Sequence, residues 1–232
     1  ACSNRQTIHL AAQLGLGALT FTFVEPAEAK LWIDDYYDTF KRECVPIGHT
    51  VNPNVALVTG FSVNHDEQVA LDRGLDGFRF FQFALAHHYA LGEHTPGRTD
   101  IWAAFLAARD QLVDDNEAGN ITRNRGCIGT PDQLRNHLRE FSALGADQKV
   151  FIQQAGKNLH SDICGSLEMF AKEVMPEFHK GEAEREARKA AELAPYIKAA
   201  FERKKWLRPL SDNEIPSYLA YGRTVAETSP GR

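Results

Sequence analysis

Val55-Ala56-Leu57-Val58-Thr59-Gly60-Phe61-Ser62-Val63 is a run of nine uncharged residues with apolar side chains at odd and even positions alike. Successive side chains of a strand point to opposite faces, so apolar residues of both parities require burial on both faces. A strand of that kind belongs inside a parallel sheet covered by helices, not in a half-wet antiparallel sheet. The turn signal Asn52-Pro53-Asn54 lies directly upstream and fixes where the strand begins.

Upstream of this strand, Ala29, Ile33, Tyr36, Phe40 and Cys44 recur every three to four residues. They mark one face of a helix that Pro26 can open and that ends near Pro46-Ile47-Gly48. Residues 16–24 form a second apolar, β-branched and aromatic run and read as a buried strand. Before it, Ser3 and Gln6 have capping-box spacing, Ile8, Ala11, Ala12 and Leu14 follow at helical intervals, and Gly15 supplies the stop. Helix, strand, helix, strand is the grammar of a parallel α/β fold.

Downstream the rhythm breaks. Residues 65–116 are helix-like and rich in aromatic side chains (Phe78, Phe80, Phe81, Phe83, Tyr89, Trp102, Phe105), divided by a loop at 92–98. Residues 116–129, with Gly119, Asn120, Asn124 and Gly126, read as a flexible connection. The rhythm resumes at Thr130-Pro131-Asp132-Gln133, which combines an N-cap, a proline at the first helical position and a glutamine three residues after the cap. Leu134, Leu138 and Phe141 give that helix its buried stripe. A short strand at 149–152, a loop at 153–158 and a helix at 161–174 closed by Pro176 complete the pattern. Residues 182–206 predict a mixed-charge helix with a solvated face, bent at Pro195, and 207–232 an irregular tail. The strands number three, with a fourth ending at Ala1-Cys2, whereas a closed barrel needs about eight. Such a sheet has open edges and predicts a chain hard to stabilise alone.

The composition narrows function by exclusion. With 26 Lys+Arg against 31 Asp+Glu the net charge is -5, which disfavours nucleic acid or an anionic membrane as partner. No apolar run approaches the roughly 20 residues a membrane span needs, so the expected compartment is the cytoplasm. Cys2, Cys44, Cys127 and Cys164 are scattered without a paired spacing, and reduced thiols are expected. Asp34 and Asp35 diverge as helix neighbours and read as exposed. His87 and His88 diverge in the same way and make a poor metal chelate, so no metal is expected.

Two phrases carry a resemblance. Ser3-Asn4-Arg5-Gln6-Thr7-Ile8-His9-Leu10-Ala11-Ala12 running into Gly15-Leu16-Gly17-Ala18-Leu19-Thr20-Phe21 is one. Gly129-Thr130-Pro131-Asp132-Gln133 through Leu144-Gly145-Ala146-Asp147, with the helix from Ser166 to Pro176 behind it, is the other. In order and spacing they resemble the bacterial-luciferase-like flavin-dependent monooxygenases over about residues 1–178. The resemblance implies an α/β fold, the C-terminal strands of a (β/α)8 barrel. It also implies a helical insertion at about 64–128 and a helical extension and tail at 179–232. Reduced FMN from a separate flavin reductase, molecular oxygen, a small organic substrate and a homodimer come with it. A sister branch uses the deazaflavin coenzyme F420 and moves hydride without oxygen. The residues acting on oxygen tend to lie in the family's N-terminal strands, so no catalytic residue is named. The opening at Ala1 without methionine fits a chain continuing upstream.

Within that frame Ser3, Asn4 and Thr7, with Arg5 beside them, are the candidate contacts for a flavin phosphate, because a helix start presents unpaired N–H groups and a positive dipole end. The plainer reading is a cap that only begins a helix. Phe21 or Phe23 could wall the flavin ring, or serve as core. Tyr89 and His94 are candidates for a substrate pocket, or are surface residues. A rival in another class is a non-catalytic half-barrel that completes itself with a partner chain.

Overall fold

A computed structural model describes residues 1–20, 26–114 and 126–218, apart from the side chains of 90, 91 and 110–114. Strand β2 (Val55–Val63) is its hub, and all nine residues are buried. Strand β1 (Ala18–Thr20) pairs with its first third in parallel, Ala18 opposite Val55. Strand β4 (Gln148–Ile152) pairs in parallel along residues 56–60, and β3 (Cys127–Gly129) in parallel along 61–63. Cys2 adds a parallel bridge to Thr20. Cys2, β1, β2 and β4 are thus successive neighbours across the sheet, with β3 pairing farther along β2, and all run the same way, as barrel strands do. The fold is α/β, a partial barrel.

Helices α1 (Arg5–Gln13) and α2 (Pro26–Glu43) cover one face. Val55 and Leu57 pack there with Ile8, Ala12, Ile33, Tyr36 and Phe40. Phe61 and Val63, of the same parity, pack with Leu134 and Leu138 of α5 (Pro131–Ala143) and with Phe170 of α6 (His160–Glu173). This is the outer face. The other parity meets the insertion. Helix α3 (Glu67–Ala86) runs back along β2 so closely that a Cβ on Gly60 would sit 2.5 Å from the Phe78 ring. A Cβ on Gly74 would sit 2.3 Å from that of Ser62. Glycine inside a helix costs about 1 kcal/mol relative to alanine; here it permits contact with a strand. Helix α4 (Ile101–Asp114) packs on α3 through Phe80, Trp102 and Phe105.

Several expectations change in detail. The first capping box joins Asn4 and Thr7, one residue later than Ser3 and Gln6. The connection read at 116–129 holds a strand at its end: β3 is only three residues long, follows one glycine and ends on another, so it leaves no periodic trace. Its residues 116–125 lie outside the described ones. Of the strand read at 16–24, 18–20 is strand and 21–24 lie outside the described residues. Pro176 opens a further short helix, α7 (Met175–His179), as well as ending α6. Asp35 is half-buried, drawn in by Arg5. Helix α8 (Glu182–Arg203) keeps Pro195 inside and is not merely solvated, since Leu193 and Ala200 are buried against α2. No helix among the described residues is long and apolar enough to cross a membrane.

His137 of α5 lies against the Phe141 ring, 4.9 Å between centroids, with Lys149 across the same ring. Burial, and then the Lys149 ammonium, push its imidazole down to about 4. The folded pKa lies below the unfolded value, so the unfolded chain binds the extra proton between about 6.5 and 4. Stability is therefore full above pH 6.5 and falls as the pH drops toward 4, by about 3 kcal/mol from this group. Urea titrations of wild type and His137→Phe at stepped pH check this. The variant should lose that part of the acid slope.

Candidate cofactor site

The C-terminal ends of parallel strands are where a barrel gathers its loops. Cys2 ends the first strand segment, its N–H bonded to the Leu19 carbonyl at 2.7 Å, and the chain turns at Ser3 into α1. Asn4 is extended, so its side chain folds over the helix start: Oδ1 accepts from the Thr7 N–H at 3.0 Å. The Thr7 hydroxyl accepts from the Asn4 N–H at 3.3 Å and donates to the Asn4 carbonyl at 2.8 Å. Asn4 and Thr7 thus spend their polar atoms on each other. What they leave for a ligand is the first-turn N–H groups of Arg5 and Gln6, which have no acceptor among the described residues, and the exposed Ser3. No acidic residue occupies that first turn, so nothing in the turn repels an anion.

Arg5 points aside. Its Nε donates to Asp35 Oδ2 of α2 at 2.6 Å, and His9 Nε2 lies 3.7 Å from the same oxygen. The guanidinium keeps 60% exposure, so it remains within reach of solvent but is not aimed by the turn. Phe21 and Phe23 lie outside the described residues. Tyr89 sits in the π-helical turn His87–Leu91 and is 85% exposed. His94 is exposed and stands edge-on to His88, 4.7 Å between centroids. Since α3 runs antiparallel to β2, this turn lies about 20 Å along the helix from Gly74.

Another polar group gathers where β2 and β4 end. Asn158 Nδ2 donates to the Gln153 carbonyl at 2.8 Å, Arg73 Nε lies 3.3 Å from Asp162 Oδ1, and Ser166 Oγ bonds the Val63 N–H at 3.1 Å. They surround a cavity of about 10 Å³, the room of one water. Gln153 Oε1 is buried there without a protein partner. The sequence signal for this cluster is only positional: Gln153 directly follows a strand. Among the described residues no three His, Cys, Asp or Glu side chains converge as metal ligands would.

A family model described as luciferase-like monooxygenase matches residues 1–148. Solved structures similar to the chain include monooxygenase RslO1 from Streptomyces bottropensis, 14% identical, with 75% of this chain and 46% of that one covered and a TM-score of 0.49. The coenzyme F420 dependent tetrahydromethanopterin reductase from Methanopyrus kandleri is 15% identical, with 76% and 49% covered and a TM-score of 0.47. The oxygenating constituent of 3,6-diketocamphane monooxygenase from the CAM plasmid of Pseudomonas putida, in complex with FMN, is 15% identical, with 73% and 44% covered and a TM-score of 0.47. The chain spans just under half the length of each. No curated protein matches it.

Proposed function

Because the chain belongs to the luciferase-like monooxygenase family, we propose that it is the part of a flavin-dependent monooxygenase that seats reduced FMN by its phosphate. The observation that carries this is the Asn4–Thr7 cap. It fixes an N-terminal turn at the strand ends with the N–H groups of Arg5 and Gln6 and the Ser3 hydroxyl left to donate. A dianionic phosphate fits such a turn, since unpaired N–H groups and the dipole both favour negative charge. When bound, the reduced flavin supplies the electrons that activate oxygen for transfer to a small organic substrate. The chain's own part is to hold the phosphate, to fix the turn through the cap, and to keep water from the inner strand face through α3. In this reading reduced FMN comes from a separate reductase, the protein is a homodimer, and Phe21 or Phe23 walls the ring. The same turn would accept the phosphate of coenzyme F420, and oxygen uptake separates the two, because it follows only FMN.

The test is a titration of the intact protein with FMN and with riboflavin, which lacks the phosphate. Ser3→Ala, which removes a donor, and the Asn4→Ala/Thr7→Ala pair, which removes the cap that fixes the turn, should each weaken FMN about ten- to a hundredfold, the worth of one or two charge-assisted hydrogen bonds. Riboflavin affinity should stay within about twofold. Equal losses for both ligands would mean the variants act through the fold, and unchanged FMN affinity would remove the phosphate seat.

A further inference from the structure

The C-terminal end of α2 is the negative end of an 18-residue helix, and its last carbonyls lack intrahelical donors. The last residue of α8 and the one after it bring cations to the carbonyls just beyond that helix end. Arg203 Nε donates to the Cys44 carbonyl at 3.0 Å. Lys204 Nζ then lies 2.6 Å from the Pro46 carbonyl oxygen, 3.0 Å from that of Ile47 and 2.9 Å from that of Gly48. Consecutive carbonyls run parallel in a helix and alternate in a strand. Here three in a row converge on one ammonium nitrogen at the surface, with Pro46 buried, Gly48 half-buried and Ile47 exposed. The Trp206 ring stands 4.7 Å from the same nitrogen and adds its negative face. His49 stacks on Trp206 at 5.0 Å between centroids.

The geometry points to a monovalent-cation niche in residues 46–48 whose resident cation is the tethered ammonium of Lys204, and which takes up potassium when that charge is removed. Rings of backbone carbonyls stand in for the hydration shell of potassium, an ion close to ammonium in size and charge. Divalent cations call for carboxylates or retained water, and none of the three donors is a carboxylate. Arg203 and Lys204 with the buried Leu193 and Ala200 therefore fasten α8 to α2, and the niche is the latch of that fastening. The inference does not depend on the flavin reading, since the niche lies beyond the end of α2, at the opposite end of β2 from its C-terminal mouth.

Thermal melts of the full chain in potassium, sodium and choline chloride at matched ionic strength test it, with Lys204→Met keeping the stem and losing the charge. In choline the variant should melt about 3–6 °C below wild type. Potassium should restore about half of that loss and sodium much less, while wild type stays indifferent to the salt. A variant that melts alike in all three salts, or a wild type that follows potassium as strongly, overturns the niche. If Lys204→Met does not fold in choline, its refolding yield answers the same question. A higher yield in potassium than in sodium supports the niche, and equal yields overturn it.

Discussion

Asp147→Ala is expected to destabilise the fold by about 3–5 kcal/mol, the cost of breaking a buried, hydrogen-bonded ionic node. The Asp147 side chain is 11% exposed and gathers three donors from distant parts of the chain. The Tyr37 hydroxyl donates to Oδ2 at 2.6 Å, the Val55 N–H to the same oxygen at 2.7 Å, and Lys189 Nζ to Oδ1 at 2.7 Å. One carboxylate therefore satisfies the first amide of β2, orients α2 and anchors α8. Alanine would leave all three donors without an acceptor in a partly dry site. Burial and the Asp147 hydrogen bond both hold the Tyr37 phenol well above its ordinary range, so it stays protonated and a donor. Asp147→Asn should cost less, since the amide oxygen can still accept while the charge opposite Lys189 is lost. Urea unfolding read as a midpoint and a slope checks both. An alanine variant within about 0.5 kcal/mol of wild type would falsify the node.

Gly60 and Phe78 should show strong coupling. A methyl at residue 60 would lie 2.5 Å from the Phe78 ring, which is itself 3% exposed. Gly60→Ala alone should cost about 1–3 kcal/mol through overpacking. Phe78→Ala alone should cost about 3–5 kcal/mol through the cavity it leaves. In the double variant the new methyl enters the vacated space, so its cost should fall short of the sum of the two single costs by at least about 1 kcal/mol. Additivity within about 0.5 kcal/mol would mean that α3 does not lie on the inner face of β2. Hydrogen exchange on residues 67–86 gives a second reading, because Gly60→Ala should loosen that helix before the strands.

The features legible in advance share one property: each is a short-range pattern. The stripe of Ala29, Ile33, Tyr36, Phe40 and Cys44 is buried as its spacing requires, and Thr130 caps Gln133 as the box requires. The cap at Asn4 was off by one residue because Ser3 and Asn4 are both good caps, and only the bridge of Cys2 to Thr20 decides where the strand lets go. β3 had no pattern at all. At the candidate site, the turn was visible as a helix start, but Arg5 reads as a free cation until Asp35, thirty residues later, is placed beside it. The Gln153, Asn158 and Ser166 group comes from one loop and the helix after it, and no spacing announces it.

The sequence by itself determined a parallel α/β chain. Val55–Val63 is apolar in both parities, and a strand of that kind has to be covered on both sides. It also determined the helix faces, because a 3.6-residue period is a local property of the chain. Only the tertiary structure decided that the insertion supplies the inner cover, that one aspartate at 147 serves Tyr37 and Val55, and that Lys204 fills a ring of carbonyls at 46–48. Those contacts join residues far apart in the chain, and their energy depends on distances that no local period encodes.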